Sequence, residues 1–121
     1  MELIQASASG DLSEVTRLIE NGKEIDAQDE LGCTPLFEAV SNGRKEMVEQ
    51  LLSLKANPDI PENNGITPVM EAASGGMNDI LKILIQAGAS IERKDNFGDS
   101  AFDYAKSQGH LETIELLKRN Q

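Results

Sequence analysis

Aromatic residues are scarce. There is no tryptophan, and rings make up 3% of the 121 residues. A core of large rings is therefore excluded, and one of Leu, Ile, Val and Ala, as in tightly packed helices, is expected. A single cysteine, Cys33, excludes an internal disulfide and any cysteine-rich metal centre. A single histidine, His110, leaves little for a zinc cluster. Cations are few: 11 Lys and Arg face 21 Asp and Glu, a net charge of −10. Phosphate binding needs the opposite sign, so no nucleic-acid partner is expected, and anionic membrane surfaces are disfavoured. No apolar run approaches the ~20 residues of a membrane span. Residues Met1–Gly10 lack the basic and apolar regions of a leader, which makes the cytoplasm the default expectation. With 39% hydrophobic and 26% charged residues, the chain suits a single soluble globular domain over residues 1–121.

What the chain does have is a strict period. Gly32, Gly65 and Gly98 are each 33 residues apart. Thr34-Pro35-Leu36, Thr67-Pro68-Val69 and Ser100-Ala101-Phe102 follow in phase, then Ala39, Ala72 and Ala105, with Ala6 before them. Gly10, Gly43, Gly76 and Gly109 hold the same register. So do Val15, Val48, Leu81 and Ile114, and then Leu18, Leu51, Leu84 and Leu117. Units of about 1–28, 29–61, 62–94 and 95–121 result, with no insertion. Each reads as two short helices and an extended loop. Thr34 before Pro35 is a helix cap followed by proline at the first helical position, and Thr67-Pro68 repeats it. The glycine at 43, 76 or 109 permits a tight turn. Apolar pairs three apart, such as Val48 and Leu51, line one face of the second helix. Neither helix can bury its face alone, so neighbouring units must stack.

These features resemble the ankyrin-repeat family, whose 33-residue unit carries Thr-Pro-Leu-His-x-Ala. Here the motif stands as Thr34-Pro35-Leu36-Phe37-Glu38-Ala39 and Thr67-Pro68-Val69-Met70-Glu71-Ala72. The resemblance covers the whole chain. It implies an all-α solenoid of helix-turn-helix units joined by extended hairpin loops, and a protein-binding role. It does not specify an activity. The family histidine is replaced by Phe37, Met70 and Asp103, so its inter-repeat hydrogen bonds are expected to be lost at some cost in stability. At the end of the array Lys106 stands where Val40 and Ala73 do, and Lys118 where Ile19, Leu52 and Ile85 do. Lysine solvates a face without a neighbour, so a complete array of about four repeats is expected.

Catalytic constellations are poorly supported. His110 follows Gly109 at a spot where the family often carries a structural histidine. Cys33 has no cationic neighbour to lower its pKa and reads as an unreactive contact or surface thiol. Gly75-Gly76 joins two helices and lacks a following lysine, so it reads as a turn and not as a phosphate cradle. No enzyme, cofactor or metal is expected.

Charge placement points to a binding face. The resemblance puts the loops and first helices on a concave surface and the second helices on the convex back. Loops and first helices carry 13 acidic and 5 basic residues, net −8; turns and second helices carry 8 and 6, net −2. Acidic loops that merely aid solubility would not need this segregation. The expected contact residues are Glu30, Leu31, Cys33, Glu38, Asn64, Ile66, Glu71, Phe97, Asp99, Asp103 and Tyr104. Leu31, Asn64 and Phe97 fall at loop tips, and Cys33, Ile66 and Asp99 just past the glycines. Tyr104, in phase with Glu38 and Glu71, is expected to point into the groove as an anchor for a Lys- or Arg-rich surface. The expectation is a stand-alone inhibitor or adaptor, monomeric when free, docking a basic protein; immunity-type inhibition of a hydrolase or toxin is one form. A scaffold bridging partners is the alternative.

Overall fold

A computed structural model describes residues 2–121. Eight helices occur among them, in four pairs. They are α1 (Glu2–Ser9) with α2 (Leu12–Glu20), α3 (Pro35–Ser41) with α4 (Lys45–Ser53), α5 (Pro68–Ser74) with α6 (Asn78–Gln86), and α7 (Ala101–Ser107) with α8 (Leu111–Arg119). No strand is formed among the described residues. A single antiparallel bridge, Lys94 with Ser100, belongs to the last hairpin.

Helices α3 and α5 start at their expected caps. Thr34 Oγ1 accepts from the Phe37 N–H at 3.0 Å, and Thr67 Oγ1 from the Met70 N–H at 3.3 Å. Pro35 and Pro68 follow, where a missing N–H costs nothing. The last pair has no proline. Ser100 Oγ accepts from the Asp103 N–H at 3.2 Å while Asp103 Oδ2 accepts from the Ser100 N–H at 2.9 Å, a reciprocal cap. Three side chains at the family-histidine position thus find other uses. Phe37 and Met70 are buried, Met70 Sδ accepts the Thr67 N–H at 3.5 Å, and Asp103 caps α7. The turns at Gly43, Gly76 and Gly109 have φ of 67°, 64° and 72°, which side-chain-bearing residues seldom adopt.

The first helices form one row, with α1, α3, α5 and α7 packed in sequence, and α4, α6 and α8 form part of a second row. Gln50 ties α4 to α2 by donating to the Leu12 carbonyl at 2.9 Å and to Thr16 Oγ1 at 2.6 Å. Between the rows runs one continuous core. Val15, Val48, Leu81, Leu18, Leu51, Leu84 and Leu117 lie in it, all buried. Burial of each such leucine is worth roughly 1.5–3 kcal/mol. The lysines placed by phase behave as anticipated. Val40 and Ala73 are fully buried and Lys106 is exposed; Ile19, Leu52 and Ile85 are half-buried and Lys118 is exposed.

Candidate functional site

Three hairpins rise beside the first helices, and each closes around a carboxylate. Asp29 Oδ1 accepts from the N–H groups of Leu31 and Cys33, both at 2.9 Å. Glu62 Oε1 accepts from those of Asn64 and Ile66 at 2.6 and 3.0 Å. Asp95 Oδ1 accepts from those of Phe97 and Asp99, both at 2.9 Å. Neighbouring hairpins are laced together by Asn63 N–H to the Leu31 carbonyl at 2.9 Å and Asn96 N–H to the Asn64 carbonyl at 3.0 Å. The approach is close at Gly32. Its φ is +84°, and a Cβ there would meet the Asn63 nitrogen at 2.8 Å. Lower in the loops, Asp26 accepts from the Asn57 N–H at 3.0 Å and Asp59 from the Ser90 N–H at 2.9 Å.

Five carboxylates of this face therefore also hold the loops: Asp26, Asp29, Asp59, Glu62 and Asp95. The expected contact set contains none of them. Their signal was present in the sequence, because positions 29, 62 and 95 are all acidic and 33 apart. A carboxylate two and four residues before backbone N–H groups is a turn former.

Among the expected contact residues, Leu31 and Phe97 project into solvent at 67% and 76% exposure. Glu30, Asn64, Asp99 and Asp103 are exposed. Glu38 on α3 and Glu71 on α5 are half-buried. Three residues differ from expectation. Cys33 is not a surface thiol: it is 6% exposed. Burial first, then the charges of Asp29, Glu38 and Glu62, push its thiol up to about 12, so it stays protonated and weakly nucleophilic at neutral pH. Ile66 is half-buried and packs against the core. Tyr104 is also half-buried, and its hydroxyl donates to Asp95 Oδ2, so it braces the last hairpin from below and is not a free anchor. Exposed Leu111, on the back, had no counterpart among the expected residues.

The electrostatics follow from these contacts. The Tyr104 hydroxyl, aided by backbone N–H groups, holds Asp95 below the usual carboxylate range against the opposing effect of burial. The same bond, reinforced by burial and by the charges of Asp95, Asp99 and Glu62, pushes Tyr104 up to about 12. Asp103 is lowered chiefly by the Ser100 N–H, with Lys94 and Lys106 near enough to contribute. Donor atoms of Asp29, Cys33 and Glu38 lie within 4.8 Å of one another. Among the described residues, these are the side chains grouped closely enough to offer ligands to a metal. Asp29 Oδ1 already serves two N–H groups and the thiol keeps its proton, so the group is foremost a concentration of negative charge. His110 is structural: its Nε2 donates to the Ser74 carbonyl at 3.0 Å, tying the fourth pair to the third.

No helix among the described residues is long and apolar enough to cross a membrane. No curated protein matches the chain. The family model described as ankyrin repeats (3 copies) matches residues 3–95 and 52–121. Ankyrin arrays are protein–protein interaction modules and are typically not enzymes. The stacked helix pairs, the Thr-Pro caps, the laced hairpins and this match agree: the chain belongs to the ankyrin-repeat family.

Proposed function

We propose that this protein docks a basic surface of one partner protein across its hairpins and first helices, and acts there as a small inhibitor or adaptor. The observation that carries the reading is the segregation of charge, with 13 acidic and 5 basic residues on that face, around the solvent-exposed side chains of Leu31 and Phe97. Charge of one sign steers an oppositely charged surface, and exposed apolar groups supply desolvated contact. The chemistry of the face supports recognition over catalysis. Its one thiol is buried and protonated, and the chain's one histidine is committed to a carbonyl. A basic active-site rim is the natural target, which would make the protein an immunity-type inhibitor of a hydrolase or toxin. A reducing, cytosolic setting and a monomeric free state belong to the same proposal.

Affinity capture with the tagged chain from its native source tests it. The expected outcome is a basic partner that is lost with Glu38→Lys plus Glu71→Lys and retained with Glu49→Lys plus Glu115→Lys on the second helices. Assaying that partner's activity with and without the chain separates inhibitor from scaffold. Equal retention by both variants sinks the reading.

A further inference from the structure

The acidic face is not uniform. Residues 24–43 and 56–81 contain no Lys or Arg, and across them lie Asp29, Glu30 and Glu38 of the second unit and Glu62 and Glu71 of the third. Asp29 and Glu38 crowd together beside the Cys33 thiol, with Glu62 close enough to act on the same group. Neither ion pair among the described residues reaches these five carboxylates; one joins Arg17 to Glu14 and the other Lys23 to Glu2. The fourth unit solves the same local problem internally. Position 95 matches 29, and position 104 matches 38. There the second carboxylate is replaced by Tyr104, whose hydroxyl donates to Asp95, while Lys94 and Lys106 stand near Asp103. The fourth unit also presents the most exposed large apolar side chain among the described residues, Phe97.

We propose that the partner's Lys and Arg residues seat on Asp29, Glu30, Glu38, Glu62 and Glu71 of the second and third units, and that an apolar residue of the same partner segment seats on Phe97 of the fourth. This rests on the reading of the hairpin and first-helix face as the docking face, and it adds which end takes which chemistry. Exposed Leu31 fits the scheme, because the aliphatic stem of Lys or Arg packs on it while the head reaches Asp29 or Glu30. Packed helices lie about 8–10 Å apart, and an extended chain rises about 3.3 Å per residue. The apolar residue therefore lies about three positions from a basic residue seated on the third unit and about five to six from one seated on the second.

Two synthetic peptides test this on the full chain, by amide chemical-shift mapping at low salt. Both carry a short Arg run and a Gly-Ser spacer; one of them ends in Trp about four residues beyond the last Arg. Both are expected to shift amides of residues 29–38 and 62–71 more than those of 95–104. The Trp peptide is expected to shift residues 96–99 as well and to bind at least about fivefold tighter. Phe97→Ser should erase that gain and leave the Arg-only peptide unaffected, and Glu38→Gln with Glu71→Gln should weaken both. Arg-only shifts as large in 95–104, or a Trp gain that survives Phe97→Ser, overturns the seating while the face itself stands. Shifts confined to α2, α4, α6 and α8 overturn the face as well. Absence of shifts with either peptide overturns the seating, and the capture experiment then judges the face.

Discussion

Tyr104 donates to a carboxylate that already receives two backbone N–H groups, so one side chain links α7 to the tip that displays Phe97. The link has a pH signature. The folded state holds the phenol proton up to about 12, against an ordinary 10, so stability is lost as pH rises through that window. Asp95 runs the other way. Its folded pKa is depressed, so its contribution is present above the ordinary carboxylate value and is lost as pH falls through the lowered one. Tyr104 is the only tyrosine and there is no tryptophan, so tyrosinate absorbance reports this site alone. The expected midpoint is about 12 in the native protein and about 10 in denaturant. Tyr104→Phe should lower the melting temperature at neutral pH and speed exchange of the Phe97 and Asp99 amides. A native midpoint near 10 would refute the link. None of this was legible in the residue itself. An aromatic in phase with Glu38 and Glu71 reads as a groove anchor, and only the path of the hairpin brings Asp95 within reach of its hydroxyl. The burial of Cys33 is hidden in the sequence for the same reason, although its lack of reactivity is not. It follows a loop glycine, yet the turn around Asp29 folds its thiol inward against Glu38.

At the scale of elements, the period was enough. Thr34-Pro35 and Thr67-Pro68 specify where α3 and α5 begin, and glycines at fixed phase specify where each pair turns, because these are local backbone requirements that sequence states directly. What phase cannot state is how much each helix buries. Helix α3 buries Pro35, Leu36, Phe37, Ala39 and Val40, and α5 buries Pro68, Val69, Met70, Ala72 and Ala73, whereas α7 buries only Ala101 and Ala105. The fourth pair therefore has less apolar contact to lose on opening. Hydrogen exchange is expected to be fastest in α7 and α8 and slowest in α3 to α6. Greatest protection in residues 101–119 would contradict it. Leu51 and Leu84 are fully buried in the middle pairs, and either one changed to Ala should cost about 2–5 kcal/mol in a denaturant titration. A loss below ~1 kcal/mol at both would mean that the stack tolerates a cavity there, against the continuous core described above.

Across the whole molecule, the laced hairpins and stacked first helices make one surface on which charges act together. Six of its carboxylates, the five that hold the loops and Asp103, accept backbone hydrogen bonds and still contribute to the field, since accepting an N–H does not neutralise an ionised oxygen. The field should therefore survive as a kinetic quantity. Association with a basic partner is expected to slow as salt rises, because steering operates over distances comparable to the ~8–10 Å Debye length. The choice of variant decides whether the test is clean. Charge reversal at Asp103 would also break the reciprocal cap with Ser100 and remove a charge already flanked by Lys94 and Lys106. Glu71 carries no such duty: neither ion pair among the described residues involves it, and residues 56–81 hold no Lys or Arg to offset it. Glu71→Lys should thus lower the on-rate several-fold at low salt, with the difference shrinking as salt screens both proteins. Glu49→Lys, on the exposed face of α4, should change it little. Stopped-flow association over a range of ionic strength measures both. Matching losses from the two reversals would show that the −10 total acts as a diffuse charge, and that its placement on the hairpins and first helices has no bearing on recognition.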